Sequence, residues 1–472
     1  MQRKFFRVAA GVASMLFSFF SAVAQQDTAW LDRPLPHRWE PDTLFIQQLP
    51  VDDRWWQELG DARLDSLIVT AVANNNTLLQ AADRIRQARA VWKGEQSAFY
   101  PGVGFTAGWM RQQASDNSSP LAEYGVNRIT QYASSDVSVN WEIDLFGSVR
   151  NRVKSEKELY RAAQEDYNAA MVSLCAEVAS AYARLRTAQQ QYLVAQQNIA
   201  SQQAILHITE VRFNTGLASK LDVAQAKSVY YNTKASLPSI EATAEQQINA
   251  LAVLLGLYPE HLRPLLREPA PLPEYFRLVR VGIPANLLRQ RPDIRAAERT
   301  VASYAALLGA SKADYGPKFY LKGSFGFAAR EMDDFFHHKS LTYQIAPTLT
   351  WNLFQGMQRI QAVAGARAQL DESIRQYNQT VLTAVQEVDN AMTGYTHSLR
   401  QVVALREVVV HGETSLQLSL DLYKRGLATF QNVLDAQRSV LNYQNSLVSA
   451  EGNALSYLIQ LYRAVGGGWV TE

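Results

Sequence analysis

Two long segments of the chain repeat apolar residues at alternating intervals of four and three positions. This spacing averages about 3.5 residues and is typical of a seam along which helices pack lengthwise. The first segment, residues 148–215, contains neither proline nor glycine, and as one helix it would be about 100 Å long. The seams consist of Met171, Cys175, Val178, Tyr182 and Leu185, and of Val381, Val385, Val388, Met392, Tyr395, Leu399 and Val402.

Four shorter segments alternate apolar and polar residues with a period of two, as strands with one apolar and one polar face do. The apolar residues are the odd-numbered ones in all four. Such a sheet normally covers its own helices, but its many aromatic residues favour a membrane β-barrel. Because lipid cannot pair an open edge and four strands cannot close, we expect three copies to pool twelve strands. The predicted strands cover about 102–112, 132–146, 318–329 and 342–354.

The chain is a tandem repeat with an offset of about 210 residues. Trp141 aligns with Trp351, and Gly216 aligns with Gly426. Each repeat is predicted to hold a helix, two strands, a long helix and a return helix, and we expect Pro238 to interrupt the first return helix. The predicted parts are a signal peptide (1–24), an extended N-terminal segment (25–61), the first repeat (62–256), a proline-rich connector (257–292), the second repeat (293–466) and a C-terminal tail (467–472).

The N-terminus and the overall composition restrict the class of protein. A basic start, an apolar stretch and Ala22-Val23-Ala24 have the form of a signal peptide that is cleaved before Gln25. Elsewhere no window is long and apolar enough for a membrane helix. The net charge of +2 argues against a basic nucleic-acid face. The only cysteine, Cys175, excludes an intramolecular disulfide and a cysteine-based zinc site.

Four short motifs stand at separate points of the chain: Trp56–Asp61 followed by Leu64 and Leu67, Asn76–Ala81, Arg291–Glu298, and Val433–Gln437. In this order, and with the doubling of the chain, they resemble the TolC-like outer-membrane factors, most closely the branch paired with resistance-nodulation-division efflux pumps. Many members of that branch carry an N-terminal lipid-anchored cysteine. Ala24-Gln25 stands there instead in this sequence, so no lipid anchor is expected.

The resemblance implies a fold and a location. The fold is mainly α with membrane β: a homotrimer in which each protomer gives four strands to a twelve-strand β-barrel, continued by a long periplasmic α-helical barrel. The terminal segments and the connector would form an equatorial collar. The resemblance further implies the outer membrane of a Gram-negative bacterium, a periplasmic adaptor (membrane fusion) protein and an inner-membrane resistance-nodulation-division transporter as partners.

The resemblance also implies a gate at the periplasmic helix ends. The family closes this entrance with rings of carboxylates, and the matching positions here are Asn432 and Asp435, so one ring lacks its charge. Asp222 is the first-repeat equivalent of Asn432. Tyr423 matches a tyrosine of the family's closed-state network, and Arg425 is a candidate for its arginine partner. Each aspartate could instead complement the dipole of a helix N-terminus, and both interpretations stay open.

Glycines mark the points at which the backbone changes direction. Gly216 and Gly426 are expected to allow the helix reversals at the periplasmic tips, because a Cβ penalises the left-handed conformation. An adaptor would dock at these tips, beside Ser219 and Thr429. The strand-to-helix junctions are expected at Gly147 and Gly356.

An outer-membrane exit duct of a tripartite efflux system is therefore the predicted function. It would conduct small molecules passively, with energy supplied by the partner. A type I protein secretion channel and a non-conducting structural protein that spans the periplasm stay open as alternatives. No enzyme and no cofactor are expected, because no recognisable catalytic motif is present. His337 and His338 lie in the predicted external loop, where a solvated loop is favoured over a metal site.

Overall fold

The computed structural model describes residues 30–32, 34–36, 39, 45–46, 53–113, 115, 129–275, 278–282, 284 and 287–469. The predicted signal peptide lies outside the described residues, as does most of the N-terminal segment. The chain divides into two units, Met1–Leu35 and Pro36–Glu472, and the description below concerns the second.

Helices make up most of the described chain. They are α1 (Ala62–Asn74), α2 (Asn76–Gln96), α3 (Ser148–Asn214), α4 (Lys220–Leu254), α5 (Pro259–Leu266), α6 (Leu287–Gln290), α7 (Pro292–Ala313), α8 (Gln358–Lys424) and α9 (Phe430–Ala464), with 3-10 turns at Trp55–Leu59, Ser97–Phe99, Met332–Asp334 and His338–Ser340. The long helices α3 and α8 each contain 67 residues, which corresponds to about 100 Å. Among the described residues, no helix is apolar enough over a sufficient length to cross a bilayer.

Two sheets are present in the described chain. One is a short parallel pair that joins the N-terminal segment to the connector. The other has four antiparallel strands in the order β2-β3-β5-β6, so β2 and β6 form its edges. Pro347 lies in β6, an edge strand, where a missing backbone N–H is tolerated. The strands are β1 (Phe45–Ile46), β2 (Gly102–Gln113), β3 (Ile129–Ile143), β4 (Val279–Arg280), β5 (Lys318–Ala329) and β6 (Leu341–Thr350).

The apolar face of the four-stranded sheet is exposed in the single chain. Phe105 in β2 is 71% exposed, and Tyr343 and Ile345 in β6 are 78% and 77% exposed. All three are odd-numbered residues of the alternating pattern, so they lie on the predicted apolar face. The alternative in which this face packs on the protein's own helices is therefore wrong.

Strand β3 ends before residue 146, the end predicted from the alternation. The carboxylate of Asp144 accepts hydrogen bonds from the backbone N–H groups of Gly147 (2.8 Å) and Arg150 (2.9 Å), which turns the chain out of the sheet and into α3. Gly147 takes a φ of 86° at this junction. At the second junction Gly356 has a φ of 53°, and Met357, a residue with a Cβ, has a φ of 66°.

The prediction that Pro238 interrupts the first return helix is wrong, because α4 runs unbroken from Lys220 to Leu254. A proline inside a helix removes one N–H and costs about 3 kcal/mol. Nearby hydroxyl groups supply local hydrogen bonds: Ser236 donates to the carbonyl of Thr233 (2.7 Å), and Ser239 donates to the carbonyl of Ser236 (2.8 Å). Neither bond replaces the N–H donor that the Lys234 carbonyl loses, so the packing of α4 along α3 holds the helix together across the proline.

A buried network of hydrogen bonds fixes the N-terminal segment and the connector to α3. The Tyr182 hydroxyl donates to the Asp61 carboxylate (2.6 Å), just before α1. The guanidinium of Arg186, which is fully buried, donates to the Tyr182 oxygen (2.9 Å) and to the Glu268 carbonyl (3.1 Å) of the connector. Burial raises the pKa of Tyr182 to about 12, so its hydroxyl keeps the proton that it donates. The N-terminal segment and the connector are thereby attached to the same turn of α3.

A close contact between α8 and α9 leads to a stability prediction. A Cβ at Gly394 would overlap the ring of Tyr457. We expect Gly394→Ala to lower the free energy of unfolding by about 1–3 kcal/mol, because the ring must move out of a packed contact. Thermal unfolding followed by circular dichroism in detergent measures the change.

The control is the same substitution in a Tyr457→Ala background, where the obstructing ring is gone. There we expect Gly394→Ala to be neutral or to stabilise by up to about 1 kcal/mol through helix propensity. An equal loss of stability in both backgrounds would contradict this account of the contact.

Candidate functional site at the helix tips

The two helix reversals have the same backbone geometry. Gly216 has a φ of 78° and Gly426 a φ of 77°. After each glycine, the N–H of the next residue bonds back into the last turn of the long helix, from Leu217 to the Arg212 carbonyl (2.7 Å) and from Leu427 to the Leu422 carbonyl (2.9 Å). This is the Schellman pattern, in which the left-handed residue ends the helix and pairs its last carbonyl groups.

The side chains after the first reversal form a capping box. The Asp222 N–H donates to the Ser219 hydroxyl (3.1 Å), and the Ser219 N–H donates to the Asp222 carboxylate (3.2 Å). Both groups thereby satisfy N–H groups at the start of α4, and the negative charge lies at the positive end of the helix dipole. The Asp222 carboxylate therefore has a structural function at the tip.

The second reversal lacks this box. Thr429 stands at the N-cap of α9, but within the described residues no side chain caps this helix. The Thr429 hydroxyl instead lies 3.3 Å from the Asn432 side-chain oxygen. Asp435, one turn further on, is exposed and accepts a hydrogen bond from Gln431 (2.9 Å). The Asp435 carboxylate does not cap the helix, so it remains available to the solvent at the tip.

Tyr423 is buried in an apolar cluster that joins the two hairpins of one chain. Its ring packs on Phe430, with ring centroids 5.4 Å apart. Burial raises the pKa of Tyr423, and the charge of Asp222 raises it further. The phenol therefore stays neutral at physiological pH. The cluster consists of Ile205 on α3, Ala226 and Val229 on α4, Tyr423 on α8, and Phe430, Val433 and Leu434 on α9.

The cation over Tyr423 belongs to Arg212, not to Arg425. The guanidinium carbon of Arg212, near the end of α3, lies 4.8 Å from the centre of the Tyr423 ring. The same guanidinium donates to the Lys424 carbonyl (2.8 Å) at the C-terminus of α8. It thus combines a cation–π contact with a charge at the negative end of a helix dipole. Arg425 is exposed.

The residues predicted for the gate form two separate groups. Tyr423 and Asp222 lie together at the apolar cluster between the hairpins. Asn432 and Asp435 line a shallow groove between α8 and α9, beside His411. Arg212 was missed by the sequence analysis, although a basic residue in the last turn before a helix-ending glycine is a recognised signal.

His337 and His338 lie in the loop between β5 and β6, at the start of the second of its two short 3-10 turns. Across the part of the chain that the structure describes, no three His, Cys, Asp or Glu side chains come close enough together to hold a metal ion. Cys175 is buried in α3, and burial raises the pKa of its thiol to about 12.

The chain is similar to known proteins over most of its length. Residues 67–257 and 283–467 match the family described as outer membrane efflux protein. The chain is 30% identical over 421 residues to the toluene efflux pump outer membrane protein TtgF of Pseudomonas putida, covering 88% of this chain and 85% of that protein. It is 29% identical over 440 residues to the outer membrane protein OprJ of Pseudomonas aeruginosa, covering 92% and 91%. Among solved structures, the outer-membrane channel OprN has a TM-score of 0.86 at 30% identity, covering 92% of this chain and 98% of that one.

The contact of Arg212 leads to a prediction with a matched control. We expect Arg212→Met to loosen the end of α8, because the cation–π contact and the bond to the Lys424 carbonyl, together about 1–2 kcal/mol, are lost. Hydrogen–deuterium exchange of the amides around Gly426 should then be several-fold faster. Arg425→Met removes the same charge from an exposed side chain and should leave the exchange unchanged. Equal effects of the two substitutions would show that Arg212 has no special role.

Proposed function

The chain belongs to the outer membrane efflux protein family, and from this premise we propose that three copies close into one duct that works with a periplasmic adaptor and an inner-membrane resistance-nodulation-division transporter. The protein is an outer-membrane exit duct of TolC-like fold that extends into the periplasm. Like the channel proteins that it resembles, it provides a route through the outer membrane. Energy for transport is then supplied by the partner.

The exposed apolar face of the sheet is the observation that carries the proposal of a trimer. Lipid can cover this face, but it cannot pair the open backbone groups of the edge strands β2 and β6. Joining β6 of one copy to β2 of the next pairs both edges, apart from the N–H that Pro347 lacks. Three copies give twelve strands, within the range in which barrels close.

The repeat supports the same assembly in the helical part. Within one chain, α3 of the first repeat packs on α7 of the second. The Ser155 and Ser303 hydroxyls are hydrogen-bonded there (2.8 Å), and Glu165 pairs with Arg295 (2.6 Å). By the repeat, α8 is the counterpart of α3, and α2 is the counterpart of α7. An equivalent contact between α8 and α2 can form only between copies, because α2 does not pack on α8 in its own chain.

The exposure of α8 fits such a contact. Val172 on α3 is 6% exposed at the α7 side, whereas Leu382, its counterpart on α8, is 58% exposed. The α8 counterparts of Ser155 and Glu165 are Gly365 and Arg375, and both are exposed. A face that is buried in one repeat thus stays open in the other, where a neighbouring copy would cover it.

The helix tips support the proposed adaptor, and the name of one relative supports the proposed substrates. At the periplasmic tips Leu217 and Leu427 are 66% and 71% exposed, beside Ser219 and Thr429, which gives an adaptor two similar apolar contacts per chain. Six such contacts in a trimer would match a ring of adaptor subunits. One relative is named for toluene efflux, and small molecules of that kind are the proposed substrates.

The trimer proposal predicts the effect of a charge on the open face of α8. We expect Leu382→Arg to shift the purified protein from trimer to monomer, because the charge would be buried between copies without a partner. Native mass spectrometry in detergent measures the distribution. Val410→Arg is the matched control, since Val410 is exposed on the same helix and its counterpart in α3, Ala200, is exposed too. The proposal fails if the unmodified chain is itself monomeric under these conditions.

A second prediction concerns the entrance. Three copies of Asp435 would form a ring of carboxylates that favours cations. We expect Asp435→Asn to lower cation selectivity, seen as a smaller reversal potential across a planar bilayer with a salt gradient, and to weaken block by multivalent cations. Asp222→Asn should have a smaller effect, because Asp222 is engaged in the capping box and asparagine also caps helices. Unchanged selectivity in Asp435→Asn would remove Asp435 from the gate.

A further inference from the structure

The loop between β5 and β6, residues 330–340, has a compact fold of its own. It contains two short 3-10 turns, Met332–Asp334 and His338–Ser340. The Ser340 hydroxyl donates to the Asp334 carbonyl (2.7 Å) and closes the loop across its base. We call this segment the aromatic loop, because it contains the adjacent phenylalanines Phe335 and Phe336.

The aromatic loop packs on one face of the sheet. Phe335 and Phe336 lie with their ring centroids 6.3 Å and 5.9 Å from that of Phe327, near the end of β5, and 5.0 Å from each other. Phe327 is an odd-numbered residue, on the same apolar face as Phe325. The loop is therefore packed on the apolar side of the sheet and not on the polar side that would line the duct.

The tip of the aromatic loop presents exposed apolar surface. Phe335 is buried beneath the tip, whereas Phe336 is 81% exposed. Met332 is also exposed on this loop. Leaving such apolar side chains in water is unfavourable. The sequence becomes polar immediately afterwards, with His337, His338 and Lys339.

The position of the aromatic loop matches one boundary of the lipid-facing apolar band that a membrane β-barrel has. At the periplasmic end of the sheet, the indole N–H groups of Trp141 and Trp351 each donate to a carbonyl (3.0 Å) near the end of the preceding helix. Phe319 in β5 lies near this end, and Phe327 lies about 26 Å further along the strand. If the strands tilt by about 40° from the membrane normal, this distance is roughly 20 Å across the membrane. The aromatic loop therefore reaches the far edge of an apolar band about 25 Å tall.

We propose that the aromatic loop is an anchor for the outer leaflet of the membrane. Phe336 and Met332 insert among the lipid acyl chains next to the headgroups, and the basic segment that follows Phe336 lies at headgroup level. The anchor continues the lipid-facing surface of the sheet, and this inference rests on the proposed barrel. It also leaves the external mouth of the duct uncovered by this loop.

Site-directed spin labelling of the full chain in phosphatidylethanolamine–phosphatidylglycerol vesicles tests the proposal. Phe336→Cys places the label on an exposed position, while the buried Cys175 remains unmodified. Collisions with oxygen report lipid, and collisions with a water-soluble nickel chelate report water. We expect oxygen to dominate at Phe336→Cys, as at Phe325→Cys on the apolar face. Ser324→Cys on the polar face should be accessible mainly to the nickel chelate.

Two results would overturn the anchor. Dominant nickel accessibility at Phe336→Cys would place the loop in water, and low accessibility to both reagents would show that a neighbouring copy covers it. If Phe325→Cys is lipid-exposed and the preparation conducts ions while Phe336→Cys is not lipid-exposed, only the anchor fails. If Phe325→Cys is also outside lipid, the barrel itself fails.

A second variant tests the packing of the aromatic loop on β5. Phe327→Ala removes the ring on which Phe335 and Phe336 rest. In the Phe336→Cys background it should increase the mobility of the spin label, seen as a narrower spectrum. Unchanged mobility would contradict the assignment of the loop to the apolar face.

Discussion

The architecture depends on the need of every backbone N–H and C=O group in hydrocarbon for a hydrogen-bond partner. The sheet of this protein has an apolar face suited to lipid, but within the described residues its edges β2 and β6 each lack a second neighbour. An unpaired backbone group in lipid costs several kcal/mol, so a lone sheet is not stable there. In the proposed trimer, insertion into the membrane and assembly of the copies are thereby coupled.

The two repeats solve the same geometric problem with different side chains. Both reversals use a left-handed glycine and the same backbone bonds. The first return helix is then capped by Ser219 and Asp222, while the second begins without such a cap. Tyr423 and Arg212 join the two hairpins of one chain at their tips. The asymmetry leaves the Asp435 carboxylate at the second tip uncommitted to capping.

Much of the fold could be predicted from residue patterns. The seams with a mean spacing of 3.5 predict α3 and α8, and the alternation of odd apolar residues predicts four strands whose faces the structure reproduces. Strand ends were harder, because the side chain of Asp144 redirects the backbone where the alternation continues. The effect of Pro238 was also hard to predict, because the packing of α4 along α3 outweighs the cost of a proline inside the helix.

The candidate site was less predictable, because its contacts join residues far apart in the chain. Arg212 meets Tyr423 across two helices, whereas Arg425 is close to Tyr423 only in sequence. Met357 has a left-handed conformation that sequence reasoning assigns to glycine. Such features depend on how the two repeats pack against each other. The pattern of residues within one helix does not predict this packing.

A cryo-electron microscopy map of the full chain in lipid nanodiscs tests the central claim most directly. The account predicts a threefold ring in which β6 of each copy lies beside β2 of the next, with the odd-numbered strand residues facing the nanodisc lipid. Isolated single chains, or a sheet whose apolar face is covered by protein, would contradict it.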